Sequence, residues 1–135
     1  IGFGYRRSGL VAPVIVDVDL RLRGGEAGAL VERKKAIFAR KKGEQPFGAA
    51  TCGCAFKNPV DGAGTPCDSA GRLIDVCGLK GFRLGGAVVS ERHANFVAAE
   101  SGATADDVIR LLEHVEAVVL ERTGVRLVRE VVVWP

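Results

Sequence analysis

From Val14 to Arg23 the chain alternates: Val14, Val16, Val18, Leu20 and Leu22 interleave with Ile15, Asp17, Asp19, Arg21 and Arg23. A period of two puts the two sets on opposite faces of an extended chain, which predicts a half-buried strand. Pro13 stands at its start, where a missing N–H costs least, and Gly24-Gly25 ends it. Ahead of it, Gly2 to Gly9 reads as a glycine-punctuated loop or turn. The period then changes. Over residues 26–42, Ala27, Leu30, Val31, Ile37 and Phe38 share one stripe at helical spacing. Lys34 and Lys41 fall inside that stripe and fit it if their stems lie on apolar surface and their amines reach water. Gly43 is the predicted stop.

Residues 44–70, with Pro46, Pro59 and Pro66, read as loop-rich. Leu73 to Cys77 fits a short helix or a short strand equally well. Leu79 to Val89, framed by Gly78, Gly81, Gly85 and Gly86, predicts strands and turns, and Asn95 to Ala99 a short strand. Thr104-Ala105-Asp106-Asp107 is a helix start, with a capping hydroxyl and two acids in the electropositive first turn. Val108, Leu111, Leu112, Val115, Val118 and Val119 supply its apolar stripe, and Gly124 closes it. Val125 to Trp134 predicts a final strand. The order of elements is that of an α+β domain.

A chain of 135 residues can bury one core, alone or as part of a larger protein. It starts at Ile1 and contains no Met, which predicts the back half of something longer. Its 18 glycines, roughly double the average share, point to turns and close backbone approaches. Net charge is +3, too mild to argue for nucleic acid, and neither the few aromatics nor any recognisable module supports it. Arg33, Lys34, Lys35, Arg40, Lys41 and Lys42 form a basic cluster, either a solvated face or a site for diphosphate. No apolar run approaches the roughly 20 residues of a membrane helix, and no signal peptide is visible. Four irregularly spaced cysteines without secretory features predict reduced thiols in the cytoplasm.

Candidate chemistry gathers in Cys52-Gly53-Cys54-Ala55-Phe56-Lys57-Asn58-Pro59, which packs two thiols, a turn glycine, a cation and an amide together. A C-x-C pair with Cys67 and Cys77 far off does not match the paired hooks of structural zinc, so no metal is expected. Cys77, in an apolar run, predicts a buried inert thiol. Cys54, beside Lys57 and Asn58, fits a nucleophile, a general acid or a tolerated small residue. His114 lies off its helix stripe and predicts an exposed residue; His93 fits a ligand contact or a cap. Arg6 reads as a surface charge. Glu130, among Leu127, Val128, Val131 and Val132, needs a partner or a task.

Taken in order, several segments resemble the UDP-N-acetylenolpyruvoylglucosamine reductase family of flavoenzymes. They are Gly4-Tyr5-Arg6-Arg7-Ser8, Gln45-Pro46, Gly53 to Pro59, Ala70-Gly71-Arg72-Leu73-Ile74, Gly78-Leu79-Lys80-Gly81, and Gly85 to Ser90. His93-Ala94-Asn95-Phe96, Gly124-Val125-Arg126-Leu127 and Glu130-Val131 complete the series. The resemblance is to the C-terminal half of the family and spans nearly the whole chain. It implies reduction of UDP-N-acetylglucosamine enolpyruvate to UDP-N-acetylmuramate, with FAD as cofactor and NADPH as co-substrate, in bacterial cell-wall synthesis and hence cell shape and division.

The same resemblance implies roles. Cys54 stands where the family's G-S-x-F-K-N-P motif has the serine that protonates the substrate carbon. Arg6 and Glu130 match the arginine and glutamate that stabilise the enolic intermediate. Tyr5, Gln45, Lys57, Asn58 and His93 fall at substrate-binding positions, with Arg40 a further candidate for the UDP phosphates. A tyrosine-bearing loop of one branch finds no counterpart. The implied fold is a mixed α/β substrate-binding domain over 45–122, with 1–44 the C-terminal remnant of a flavin-binding domain and 123–135 a strand returning to it. The cofactor-binding residues would lie mostly in the missing N-terminal half, without which the chain would not turn over. The competing implication is a non-catalytic nucleotide-sugar-binding module of the same fold.

Overall fold

The computed structural model describes residues 2–4, 7–11, 14–61 and 67–134, and divides into two units, residues 1–38 and 39–135. In the first, β1 (Phe3–Gly4) pairs antiparallel with β2 (Arg7–Ser8), Phe3 opposite Ser8, and Gly9 N–H closes onto Gly2 C=O at 2.7 Å. The alternating segment 14–23 is not the half-buried strand its pattern predicts. It lies outside any strand and every residue in it is exposed. Alternation specifies two faces but supplies no hydrogen-bonding neighbour, and a strand needs one.

The helix α1 (Ala27–Glu44) crosses from one unit to the other. Glu26 caps it, accepting from Gly28 N–H at 2.7 Å and Ala29 N–H at 2.5 Å, and these bonds hold its carboxyl below the usual glutamate range. The helix runs one residue past Gly43, which belongs to its last turn. Its predicted apolar stripe is real in sequence but buries nothing: Leu30, Val31, Ile37 and Phe38 are all exposed.

The second unit is built on an antiparallel sheet of four strands, in the order β3 (Ala50–Cys54), β7 (Phe96–Ala99), β6 (Ala87–Val89), β5 (Arg83–Leu84). Val89 pairs with Val97 and Ala87 with Ala99, so Ala87, Val89 and Val97 share one face. That face packs against α3 (Ala105–Thr123) through Leu111, Leu112, Val115 and Val119. The short α2 (Ala70–Val76) adds Leu73 and Ile74 to the same core, which resolves the 73–77 segment as a helix end and leaves Cys77 buried. Arg122 of α3 reaches back to Cys77 C=O at 2.8 Å. Outside the sheet, β4 (Phe56–Lys57) pairs with β8 (Val128–Arg129). In this unit α2 and α3 pack into one core on one face of an antiparallel sheet, and the chain is α+β, as expected.

Two further expectations change. Strands β3 and β4 lie inside the stretch that read as loop. Conversely, the final strand shrinks from Val125–Trp134 to two residues, because β4 offers only two residues to pair with; Val132, Val133 and Trp134 are exposed. His114 is not an exposed residue either. It is half-buried, its ring stacked on Phe82 with centroids 4.3 Å apart.

The α3 boundaries follow the sequence. Thr104 Oγ1 accepts from Asp107 N–H at 3.1 Å while Asp107 Oδ2 accepts from Thr104 N–H at 3.0 Å, and Gly124 ends the helix at φ 71°. Asp107 Oδ2 also takes Gly86 N–H at 3.3 Å, docking the helix start on the β5–β6 turn. Gly86 is required there, since a Cβ on it would lie 2.5 Å from Ala103 Cα.

The backbone N–H groups of Thr104 and Gly86 hold the Asp107 carboxyl below the usual aspartate range. Its contribution to stability is therefore complete above the ordinary pKa of about 3.9 and is lost as pH falls through the lower folded value. Asp107→Asn keeps an acceptor and removes the charge. Its melting midpoint should lie below wild type at neutral pH, and the gap should close between roughly pH 5 and 2. A gap that stays constant in circular-dichroism melts over that range contradicts the assignment.

Candidate functional site

The thiol loop starts with a fault in the sheet. On β3, Thr51 pairs with Ala98 and Cys54 with Phe96, so Cys52 and Gly53 together oppose Val97. This is a β-bulge, and Gly53 at φ 90° supplies the left-handed residue it needs. The extra residue shifts the alternation. Cys54 returns to the face of Phe96 and Ala98, away from α3, whereas Cys52 faces the α3 side. There it lines an apolar groove of about 550 Å³ with Val97, Val108, Ile109 and Trp134. The two thiols of the C-x-C pair thus serve opposite faces of the sheet.

Immediately after Cys54 the chain is clamped. Ala55 N–H donates to Asn95 C=O at 2.7 Å, and Glu130 N–H donates to Ala55 C=O at 2.8 Å. Phe56 N–H donates to Asn95 Oδ1 at 2.9 Å, and Asn95 Nδ2 donates to Phe56 C=O at 2.8 Å. Ala55, Phe56 and Asn95 are 0%, 1% and 3% exposed, so water cannot replace these bonds. Sequence reasoning did not single out Asn95. Its signal was a polar residue at the head of a strand that is otherwise apolar.

The clamp brings several expected site residues together. Glu130 is placed by main chain against Ala55, one residue from Cys54; its side chain is half-buried, with Oε2 shielded from solvent. Lys57 follows on β4, half-buried. Asn58 Oδ1 accepts from Ala70 N–H at 3.0 Å, which ties the loop to the start of α2. Its carbonyl oxygen therefore has a structural task beside any contact with a ligand. His93 accepts from Asn95 N–H through Nδ1 at 3.3 Å, which places the proton of the neutral ring on Nε2. The ring stands edge-on to Phe96 at 4.9 Å. Gln45 is half-buried at the end of α1, bonded through its N–H to Lys41 C=O at 2.9 Å. Tyr5 and Arg6 lie outside the described residues.

His93 also lines a polar pocket of about 260 Å³ with Arg72, Lys80 and Arg92. Lys80 is held by Asp75 at 2.6 Å, and Arg92 donates to Lys42 C=O at 3.1 Å. Sequence reasoning missed these cations, although Arg72 and Lys80 lie in segments that carry the family resemblance and Arg92 adjoins His93; nothing in their spacing shows that they converge. On β8, the carboxylate of Glu116 holds the Arg129 guanidinium even above its usual range, through the hydrogen bond first and the charge second. Among the described residues no cluster of His, Cys, Asp and Glu could hold a metal ion, and no helix is long and apolar enough to cross a membrane.

An antiparallel sheet with helices on one face, and a clamped thiol loop leaving its edge, defines an α+β domain. Comparison narrows the class. Residues 45–134 match the family described as "UDP-N-acetylenolpyruvoylglucosamine reductase, C-terminal domain", and the chain belongs to that family. It is 45% identical over 129 residues to the UDP-N-acetylenolpyruvoylglucosamine reductase of Alkalilimnicola ehrlichii, covering 95% of this chain and 41% of that protein. To UDP-N-acetylenolpyruvoylglucosamine reductase 2 of Symbiobacterium thermophilum it is 41% identical over 136 residues, or 99% and 42% of the two chains. The crystal structure of UDP-N-acetylenolpyruvylglucosamine reductase (MurB) from Thermus caldophilus superposes with a TM-score of 0.66 at 36% identity, over 85% of this chain and 38% of that one. The chain thus spans about two fifths of the length of the curated relatives it matches.

Removing the clamp should be costly. Asn95→Leu keeps the branched shape and leaves Phe56 N–H and C=O buried without partners, at about 1–3 kcal/mol for each group. Urea unfolding should register a loss of about 2–6 kcal/mol. A loss below about 1 kcal/mol would mean that the loop finds other partners.

Proposed function

We propose that the chain is the C-terminal, substrate-binding part of a flavoenzyme that reduces UDP-N-acetylglucosamine enolpyruvate to UDP-N-acetylmuramate with NADPH, in the cytoplasmic stage of peptidoglycan synthesis. Residues 1–44 belong to the flavin-binding domain in this reading, 45–122 to the substrate domain, and 123–135 return to the flavin side. The observation that carries it is the clamped loop, which sets the Cys54 thiol on one face of the sheet and the main chain of Glu130 one residue away.

Reduction of the enolpyruvyl double bond adds a hydride equivalent to the vinyl carbon and a proton to the carbon bearing the carboxylate. The proton is the half that this chain's residues can supply. A thiol with an ordinary pKa of roughly 8.5 is mostly protonated at neutral pH and can transfer that proton, leaving a thiolate to be reprotonated from solvent. By the resemblance, Glu130 and Arg6 take the roles that stabilise the enolate, Arg6 by offsetting its charge. Tyr5, Gln45, Lys57, Asn58 and His93 orient the substrate, and Lys80, Arg72 and Arg92 around His93 suit a diphosphate. FAD, reduced by NADPH, would supply the hydride equivalent. A flavin dinucleotide needs a flat apolar slot and diphosphate donors in one continuous site. Among the described residues the apolar groove and the cationic pocket share no lining residue, so they do not fit a flavin. In this reading the rest of the enzyme holds it, and the isolated chain is inactive.

The test pairs the chain with the flavin-bearing portion of the enzyme and follows NADPH oxidation on the enolpyruvyl substrate. Cys54→Ser should retain turnover, while Cys54→Ala should lower kcat by about 10²–10⁴-fold with little change in KM. Equal rates for wild type and Cys54→Ala would defeat the proton-donor role. No substrate-dependent oxidation in any paired preparation would favour a non-catalytic sugar-nucleotide module.

A further inference from the structure

Next to Glu130 stands a side-chain contact that the proposed chemistry does not use. Arg129 of β8 meets Glu116 of α3 in a two-point fork, with Nε to Oε1 at 2.5 Å and Nη2 to Oε2 at 2.9 Å. The two side chains are 27% and 30% exposed, so the pair is partly withdrawn from water and outweighs an ordinary surface pair. The same Arg129 pairs by main chain with Phe56, and the next residue donates its N–H to Ala55 C=O. The helix on the other end of the fork is a firm base, capped at both ends and packed through four buried residues.

A ladder of two residues holds a strand weakly against rolling about its own axis. Successive side chains leave a strand on opposite sides. Gripping a planar guanidinium at two points toward α3 therefore biases the following side chain, one residue past β8 and bonded by main chain to Ala55, to the side away from α3. That is also the side to which the bulge of β3 turns Cys54. We propose that Glu116 and Arg129 form a positioning pair, whose fork sets the roll of β8 and so directs the Glu130 carboxylate to the Cys54 side of the sheet. Its catalytic meaning rests on the reductase reading; its geometry does not. Lysine at 129 would keep the charge but lose the second contact, and with it the directional hold.

Two measurements test it. On the chain itself, Arg129→Leu and Glu116→Leu should each speed amide exchange at Glu130 by about tenfold or more, with Phe56 N–H, held by Asn95, and the α3 interior unchanged. Unchanged protection at Glu130 overturns the proposal, whatever the chain's activity. In the paired, flavin-bearing preparation, each variant should lower kcat about 10- to 100-fold with KM within about twofold, and the double variant should be no worse. Arg129→Lys should not recover kcat, whereas the exchanged pair, Glu116→Arg with Arg129→Glu, should. A lowered melting temperature with kcat intact would make the fork a stabilising contact only and also overturn it. If wild type itself reduces no substrate, the reductase reading fails, and amide exchange alone decides the positioning role.

Discussion

The site depends on one buried amide. Where the chain leaves β3 of the main sheet for β4, Phe56 lies in register with Arg129 of β8, yet its buried N–H and C=O find their partners in the Asn95 side chain. An amide is the smallest group that can donate and accept in the geometry of a neighbouring strand. Because Asn95 heads β7 and takes the His93 ring on its own N–H, the clamp ties together the sheet, the thiol loop and the cationic pocket. Glu130 enters the same arrangement through Ala55 C=O. Asn95 thus holds Phe56 through its side chain and Ala55 through its main chain, and Ala55 in turn holds Glu130.

The bulge gives that clamp its direction. With regular alternation, Cys52 and Cys54 would share a face and invite a paired-thiol reading. The added residue at Gly53 separates them, one toward the α3 side and one away from it. A single left-handed glycine therefore decides which thiol can face a ligand. It also turns Cys54 to the side toward which alternation past the fork on Arg129 turns Glu130.

Legibility followed the range of the interactions. The α3 caps, its apolar stripe and the burial of Cys77 were readable because each is set within a few residues. Segment 14–23 and the tail past Val128 carry strand patterns, yet a ladder needs a neighbour that no local pattern provides. His114 lay off its helix stripe by periodicity, and only the placement of Phe82 covers it. At the site, Cys54, Glu130 and His93 stood out as chemically odd in their surroundings. Asn95, Lys80 and the Glu116–Arg129 fork did not, since each matters only through a partner 5 to 39 positions away.

By itself, the sequence determined the α+β character, the two long helices and the ends of α3, and, through an ordered series of motifs, the family. Those properties reside in periodicity, capping and residue order, which are local or additive along the chain. The tertiary structure decided which thiol faces away from the helices, which main chain is clamped, and where the cations meet. Those are outcomes of register and convergence: one bulged residue reverses a face, and a buried hydrogen bond forms only when two distant groups arrive together.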